Sequence, residues 1–423
     1  MIQSFSKVNK IKGELVLQGD KSISHRVLIF TAMASGKSII RNLSSGEDVK
    51  STLNILKNLG MDIKIEDIII VVNGCGHKGF KKYNGELDCG NSGTSARLLT
   101  GLLSAQNFES ILIGDESLSQ RPMQRVIEPL TFMGAKIESN NKKLPLKIFP
   151  SSLKKINYEL AVASAQVKSA LILAALHIDE ESQIIDKFYT RDHSERMLNL
   201  KTEVLDNKKY ISVSKKNYPQ NSEYFVPADI SSASFFIVLA LILKDSELLV
   251  KNISLNESRL GYINILKQMG GYIEIVEQKI SNNEPYGDLL VRSSKLRNID
   301  IPDEIIPNII DEIPILAAAG IFAYGAFQIR NAKELRVKES DRIKSLCANF
   351  RKLNLLVEEY EDGFRIDGNP SRDKVQFESF SDHRIAMTFS IISLLLNGGE
   401  VKEFECVNIS NPNFLEQIKS IIS

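Results

Sequence analysis

The sequence has few of the residues from which proteins build metal centres and disulfide frameworks. Its 423 residues include four cysteines and five histidines. The cysteines lie far apart without a CxxC pair, and the histidines show no HxxxH or HExxH spacing. We therefore expect no disulfide framework, and the sequence predicts that the protein holds no metal ion.

An excess of charge of either sign is also absent. The chain has 53 lysines and arginines against 52 aspartates and glutamates, which gives a net charge of +1. A protein that binds nucleic acid generally would need a surplus of cations to neutralise phosphates. No nucleic-acid partner is therefore expected.

Long apolar runs are missing as well. No stretch of 18 apolar residues could span a bilayer, and the longest candidate, 233–243, has the length of a buried helix. The first residues do not form a signal peptide. An apolar fraction of 43% is too high for a disordered chain. We expect a soluble, cytoplasmic protein without a membrane partner, and the length favours two domains.

What the sequence does contain is an internal repeat. Six apolar stretches of helix length recur roughly every 70 residues, and a β-rich run follows each of them. The stretches are 24–34, 94–105, 166–176, 232–243, 312–322 and 382–396. They are apolar on nearly all sides, so the pattern predicts helices enclosed by other elements.

A second, amphipathic helix follows in most copies. A residue suited to a left-handed C-cap ends this helix, and a strand comes next. Gly60, Gly134 and Gly270 occupy the cap position, and Asn354 takes the same place in another copy. The copy near 195–204 is the poorest. The pattern predicts an α/β protein of two similar domains, each with three units whose helices lie inside sheets.

Polar residues crowd at the beginnings of the enclosed helices. A helix start attracts anions through its unpaired N–H groups and its dipole. Ser, Thr and Asp at these positions could simply be N-caps. That explanation does not cover Lys21, Arg26, Arg97 and Arg384, because cations are unfavourable at a helix start unless an anion binds there. We interpret these positions as a site for a small polyanion.

The connecting segments carry further charges, at 120–122, 191–195 and 336–342. For His193 and Arg336, a solvated helix face is an equally good explanation. The charges of Lys338, Glu339 and Arg342 lie beside acidic residues that begin two enclosed helices, and this combination indicates a charged cleft.

These motifs resemble those of the 3-phosphoshikimate 1-carboxyvinyltransferase family, also called 5-enolpyruvylshikimate-3-phosphate (EPSP) synthase. The resemblance runs along essentially the whole chain, and its 164–168 and 191–195 segments look like the class II branch. Several separate motifs in the right order carry it, namely DKSISHR at 20–26, GNSGT at 90–94, RP at 121–122, LRVKESDR at 335–342 and DHR at 382–384.

The resemblance implies transfer of the enolpyruvyl group of phosphoenolpyruvate to the 5-hydroxyl of shikimate 3-phosphate, with release of phosphate. It implies an inside-out α/β barrel fold in which each domain has three βαβαββ units and the two domains close on substrate. The expected lobes are 20–226 on one side, and 1–19 with 227–423 on the other. No cofactor is expected, and the family expectation is a monomer.

The resemblance also implies roles for individual residues. Asp311 would be the base near the attacking hydroxyl, Glu339 the proton donor, and Lys21 a bridge to both substrates. The residues expected to hold shikimate 3-phosphate are Lys21, Ser22, Arg26, Ser164, Ala165, Gln166, Arg191, Asp311 and Lys338. Those expected to hold phosphoenolpyruvate are Lys21, Gly93, Arg121, Gln166, Arg342 and Arg384.

The chain departs from the family pattern at several positions. Ala165 replaces a class I serine and leaves only a backbone contact, while Glu334 replaces an asparagine that touches shikimate 3-phosphate. Ile409 stands near the position of a class I lysine. Gly93 is alanine in the glyphosate-insensitive class II members, so we expect at least partial sensitivity to glyphosate.

Two other functions remain open. UDP-N-acetylglucosamine enolpyruvyl transferase shares the fold, but it carries a reactive cysteine before its Arg-Pro, and residues 115–120 contain none. A non-catalytic sensor of phosphorylated metabolites would gain nothing from keeping both Asp311 and Glu339.

Overall fold

A computed structural model describes residues 1–66 and 69–422. Most of its helices match the repeat pattern in order and spacing. The helices are α1 Lys21–Met33, α2 Glu47–Asn58, α3 Gly93–Ser104, α4 Glu116–Gln120, α5 Gln124–Phe132, α6 Ala165–Ala175, α7 His193–Met197, α8 Ile230–Ile242, α9 Gly261–Gln268, α10 Ile306–Ile309, α11 Ile313–Ile321, α12 Arg342–Arg351, α13 His383–Leu395 and α14 Phe414–Ile421.

The strands form six separate open sheets of three or four strands. They are β1 Ile2–Phe5, β2 Lys12–Val16, β3 Ser35–Arg41, β4 Asp62–Glu66, β5 Ile69–Cys75, β6 Glu86–Asp88, β7 Ser110–Ile113, β8 Lys136–Asn140, β9 Lys143–Phe149, β10 Asn157–Glu159, β11 Ser182–Asp186, β12 Thr202–Leu205, β13 Lys208–Val213, β14 Glu223–Phe225, β15 Glu247–Ser254, β16 Tyr272–Ser281, β17 Glu284–Arg292, β18 Phe327–Ile329, β19 Leu356–Tyr360, β20 Gly363–Asp367, β21 Val375–Glu378 and β22 Gly399–Lys402.

The chain divides into two compact units. We call the one formed by Gly19–Pro227 and Ile280–Glu284 the Lys21 unit. The other, the Asp311 unit, contains Met1–Gln18, Ala228–Lys279 and the chain from Pro285 onwards. The Lys21 unit begins one residue before and ends one residue after the expected lobe 20–226. It also contains residues 280–284, which we expected in the other lobe.

In the Lys21 unit, the apolar helices α1, α3 and α6 are enclosed by three four-stranded sheets. The copy β6–α3–β7–α5–β8–β9 shows the expected βαβαββ order, with β6 parallel to β7 and the other pairs antiparallel. Helices α3 and α6 approach closely at Gly101, where a Cβ atom would lie 2.1 Å from the carbonyl oxygen of Ala170. Only glycine allows this approach without a shift of the backbone.

In the Asp311 unit, α8, α11 and α13 are the enclosed helices, and nearly all their residues are buried. Aromatic rings fill the space around α13, where Phe389 lies 4.8 Å from Phe377 and 5.3 Å from Phe350 between ring centroids. The sheet next to α8 takes its first strand, β2, from the beginning of the chain. In the Lys21 unit, β14 likewise pairs in parallel with β3, the strand that follows α1.

The structure confirms the α/β class and the six enclosed helices, with differences at their ends. Five of them begin within two residues of the predicted positions, but α1 begins at Lys21 rather than at 24. The cause is a cap, because the Asp20 carboxylate accepts the N–H of Ile23 at 2.9 Å. The sheets of each unit stay open and separate among the described residues, so they do not join into one closed barrel.

The predicted cap positions of the second helices are also confirmed. The φ angles are +90° at Gly60, +98° at Gly134 and +99° at Gly270, and Asn354 takes 59°. The weak copy near 195–204 is the five-residue helix α7 followed by a strand. Within the described residues, we find no helix with the length and apolar character to cross a membrane.

Candidate active site

Capping side chains occupy the starts of most enclosed helices. Asp20, Ser92, Ser164, Asp229 and Asp382 each accept a backbone N–H from the first turn of their helix. The capping explanation is therefore correct for these residues. It leaves the cations beside them unexplained, and each of those cations is held by specific partners within its own unit.

Lys21, the first residue of α1, is paired with a carboxylate that sequence reasoning missed. Its Nζ lies 3.0 Å from Asp48 Oδ2, and Asp48 is almost fully buried in the first turn of α2. About a fifth of the Lys21 side chain is exposed. A neighbouring histidine is kept neutral, since burial and the charges of Lys21 and Arg26 lower the pKa of His25 well below its usual value.

Arg26 lies one turn further along α1 and is 3% exposed. Its Nε donates to Ser194 Oγ at 2.8 Å and its Nη2 to Ser169 Oγ at 2.7 Å, while Nη1 donates to the carbonyl of Ser22. Burial lowers the pKa of Arg26 to about 10, although nearby carboxylates oppose the shift. A buried guanidinium that donates to neutral hydroxyl and carbonyl groups is suited to an anionic ligand.

Two more cations lie at the start of α3. Arg121 Nη2 donates to Asn91 Oδ1 at 2.6 Å, and Arg97 Nη1 donates to Gln166 Oε1 at 2.8 Å. Gly93 lies beside both guanidinium groups, because a Cβ on it would be 2.6 Å from Arg97 Nη1 and 3.5 Å from Arg121 Nη1. The structure thus brings Gly93, Arg121 and Gln166 together with Arg97.

Lys168 of α6 is completely buried and bridges two carboxylates. Its Nζ lies 2.8 Å from Asp186 Oδ2 and 2.7 Å from Glu195 Oε1, and it donates to the carbonyl of Thr190 at 3.1 Å. These three partners flank Arg191 in the chain. Lys168 therefore links the segment that carries Arg191 to α6. The charge of Arg191 also lowers the pKa of Arg26.

In the Asp311 unit, Arg342 is the centre of a group of acids that we call the carboxylate cluster. The guanidinium is 1% exposed and lies 2.8 Å from Asp382 Oδ2, 2.6 Å from Glu339 Oε2 and 3.5 Å from Asp311 Oδ1. Burial by itself lowers the pKa of Arg342, but these carboxylates outweigh it and raise the pKa above the ordinary value. Arg342 in turn holds the pKa of Asp382 down against the effect of burial.

Two further cations of the same unit lie next to Asp311. Lys338 Nζ is 3.5 Å from Asp311 Oδ1, and Arg384 Nη1 donates to the Asp311 carbonyl at 2.7 Å. Arg384 also lies 3.7 Å from the buried Glu312, which accepts the hydroxyl of Ser231. The cluster therefore combines carboxylates able to move protons with cations that can hold an anion.

Three positions at which the chain departs from the family pattern are Ala165, Glu334 and Ile409. Ala165 begins α6 and offers only its backbone, as expected. Glu334 is exposed in a short 3₁₀ turn. Ile409 packs against the apolar core and, as an apolar residue, cannot replace the class I lysine. Sequence reasoning also missed the pairing partners Asp48 and Glu312. The available signals were an acidic residue in the first turn of α2 for Asp48 and an acidic residue at the N-cap position of α11 for Glu312.

A protein-bound metal ion needs several ligating side chains at one place. Across residues 1–66 and 69–422, no group of three or more His, Cys, Asp or Glu side chains is placed to hold one. The four cysteines are free thiols.

Comparison with known proteins agrees with this arrangement of motifs. The sequence model of the EPSP synthase family, 3-phosphoshikimate 1-carboxyvinyltransferase, matches residues 5–418. The chain belongs to the EPSP synthase family. This confirms the family and the transferase class expected from the motifs, and it disfavours the UDP-N-acetylglucosamine enzyme.

Individual relatives resemble the chain over nearly its whole length. The 3-phosphoshikimate 1-carboxyvinyltransferase of Petrotoga mobilis is 47% identical over 422 residues, which cover 98% of both proteins. The structure of EPSP synthase from Acinetobacter baumannii has a TM-score of 0.87 at 37% identity, covering 99% of this chain and 98% of that one. The enolpyruvyl transferase NikO from Streptomyces tendae has a TM-score of 0.77 at 13% identity, covering 99% and 97%, and this supports the fold alone.

Proposed function

We propose that the chain carries out the reaction of its family, the transfer of the enolpyruvyl group of phosphoenolpyruvate to the 5-hydroxyl of shikimate 3-phosphate. The observation that supports it most is the carboxylate cluster, in which Asp311 and Glu339 share the buried Arg342. A reaction that removes one proton and delivers another needs two carboxylates with separate environments. Simple anion binding does not.

The proposed chemistry is addition followed by elimination. Asp311 takes the hydroxyl proton as the oxygen bonds to C2 of phosphoenolpyruvate, and Glu339 delivers a proton to the methylene carbon. The tetrahedral intermediate then loses a proton from the same carbon and expels phosphate, which restores the vinyl group. Lys21, whose side chain is about a fifth exposed, stabilises charge on both substrates.

Shikimate 3-phosphate is assigned to Lys21, Ser22, Arg26, Ser164, Ala165, Gln166 and Arg191 in the Lys21 unit, and to Asp311 and Lys338 in the other. The buried Arg26 supports this assignment, because its side chain donates to hydroxyl and carbonyl oxygens rather than to carboxylates. Phosphoenolpyruvate is assigned to Lys21, Gly93, Arg121 and Gln166 in the one unit and to Arg342 and Arg384 in the other.

The decisive experiment measures phosphate release by the purified protein with phosphoenolpyruvate and each acceptor in turn. We expect release with shikimate 3-phosphate and none with UDP-N-acetylglucosamine. Release only with the sugar nucleotide would assign the chain to the other enolpyruvyl transferase reaction. Binding of shikimate 3-phosphate without any release would make the chain a non-catalytic sensor.

The proposal includes a cytoplasmic monomer that has no nucleic-acid or membrane partner. Sedimentation equilibrium of the purified protein tests the oligomeric state. A mass of twice 47.3 kDa would contradict the monomer.

Inhibition by glyphosate tests the assignment of Gly93. The wild-type chain is expected to be inhibited, and Gly93→Ala is expected to need at least a roughly tenfold higher concentration, because the added methyl group displaces the end of Arg97. The same change raises the KM for phosphoenolpyruvate, whereas the KM for shikimate 3-phosphate is the internal control. Full wild-type activity in millimolar glyphosate would contradict the assignment.

A further inference from the structure

A cavity lies in the Asp311 unit, away from the carboxylate cluster. Its volume is about 630 Å³, within the range of small-molecule sites of roughly 300–1,000 Å³. It is lined where α8, α11 and α13 end, at 242–244, 321–323 and 395–397, and by the segments 7–9 and 369–372. We call it the helix-end cavity.

The helix-end cavity is distinct from the catalytic groups. Asp382 and Glu312 lie at the beginnings of α13 and α11, whereas the cavity lies where the same helices finish. Helices of nine and thirteen residues separate the two positions by roughly 14–20 Å. A ligand in the cavity would therefore not touch the reacting atoms.

The wall of the cavity is mixed, since nine of its fifteen lining residues are apolar and Asn9, Asn369 and Asn397 add uncharged polar groups. Ile242, Phe322 and Leu395, at the three helix ends, are only partly buried and pack against the core from the cavity side. The rim is cationic, with the exposed side chains of Lys7, Lys244 and Arg372. Among residues 1–66 and 69–422, none of these three cations makes an ion pair or a side-chain hydrogen bond, in contrast to the paired Arg342 and Lys21.

Asp245 and Asp373, which adjoin Lys244 and Arg372 in the chain, form no ion pair with them in the part of the chain that the structure describes. The carboxylate of Asp373, next to Arg372, accepts the hydroxyl of Ser371 at 2.8 Å instead. At the floor, the helix ends carry partial negative charge, which disfavours a highly charged anion deep in the cavity. Charge complementarity thus calls for one anionic group at the rim and an uncharged, apolar body beneath it.

We propose that the helix-end cavity binds a small organic monocarboxylate with an apolar body. Its carboxylate contacts Lys7, Lys244 and Arg372, while its apolar part covers the half-buried helix ends and removes their apolar surface from water. A compact polyanion with little apolar surface is a poor fit to this cavity. The ligand class therefore differs from that of the catalytic substrates.

Calorimetric titration of the full chain with 3-phenylpropionate tests this site, and the uncharged 3-phenylpropan-1-ol is the matched probe. We expect saturable binding of the acid and at least tenfold weaker binding of the alcohol. The double variant Lys244→Met/Arg372→Gln should weaken binding of the acid at least tenfold. The control Lys267→Met/Lys419→Met removes two exposed charges of the same unit outside the cavity and should leave binding unchanged.

Other results would overturn the proposal. These are the absence of saturable binding, equal binding to the Lys244→Met/Arg372→Gln variant, and displacement of the probe by shikimate 3-phosphate with glyphosate. Displacement would assign the probe to the catalytic groups. Phosphate release by each variant shows that it is folded, and single Lys244→Met serves if the double variant loses activity.

Discussion

Replacing Lys168 by methionine is expected to lower the free energy of unfolding by roughly 3–5 kcal/mol at pH 7, the usual cost of removing one partner of a buried ion pair. Asp186 and Glu195 would remain buried without their cation, since Lys168 is fully inaccessible and bridges both. Methionine has a similar volume, so the loss is electrostatic rather than the result of a cavity. Denaturant unfolding followed by circular dichroism measures the difference.

Lys187→Met is the matched control for this change. Lys187 also pairs with a carboxylate, Glu159 at 2.8 Å, but both side chains are more than a third exposed. Exposed pairs contribute only about 0–1 kcal/mol. Equal losses in the Lys168 and Lys187 variants would contradict the role we give to the buried bridge.

The effect of Lys168→Met should depend on pH. Burial by itself lowers the pKa of Lys168, but Glu195 and Asp186 raise it above the ordinary 10.5. Burial raises the pKa of Asp186, but Lys168 holds it below the ordinary 3.8. The stability from the lysine is present below pH 10.5 and is lost as the pH rises through its folded pKa. The stability from the aspartate is present above pH 3.8 and is lost as the pH falls through its folded pKa.

The wild-type chain therefore keeps the bridge across neutral pH. In the methionine variant, the buried Asp186 carboxylate would take up a proton as the pH falls. The difference between variant and wild type should be large near pH 7 and should shrink as the pH approaches the ordinary pKa of Asp186. A difference that stays constant from neutral to acid pH would contradict this account.

The enclosed helices could be predicted from the sequence because their signals are local. Apolar residues on all sides of each stretch, and a cap such as Gly60 or Asn354 after the following helix, depend only on neighbouring positions. The amphipathic helix α14 was missed, although Phe414, Ile418 and Ile421 are spaced for one buried face. It follows the last enclosed helix, where the repeat pattern gave no cap residue to mark it.

The pairing of the charges could not be predicted in this way. Lys21 and Asp48, or Arg342 and Asp382, are about 30–40 residues apart in the chain and meet only because two helix starts converge. Periodicity shows on which face of a helix a residue lies, but not which distant side chain it meets. The pairings of β2 with β15 and of β14 with β3 join strands that lie far apart in the chain, so periodicity could not predict them either.

Glu339→Gln is expected to lower kcat by about 10²–10⁴-fold, the usual contribution of a general acid or base. Glutamine keeps an oxygen that can accept the hydrogen bond now made by Arg342 Nη2 at 2.6 Å, so the fold and the position of Arg342 should be retained. It cannot deliver a proton to the methylene carbon. Phosphate release measures the loss, and calorimetry should find the affinity for shikimate 3-phosphate unchanged within about threefold.

Two further variants separate proton transfer from a general loss of charge. Glu304→Gln removes an exposed carboxylate of the same unit, shortly before Asp311 in the chain, and should leave kcat unchanged. Asp311→Asn should lower kcat to a similar extent as Glu339→Gln, because each half of the proposed reaction needs one proton to be taken up and one to be delivered. If Glu339→Gln retained more than about a tenth of the wild-type kcat, the proton donor would have to be another group, and Asp311 would be the first candidate.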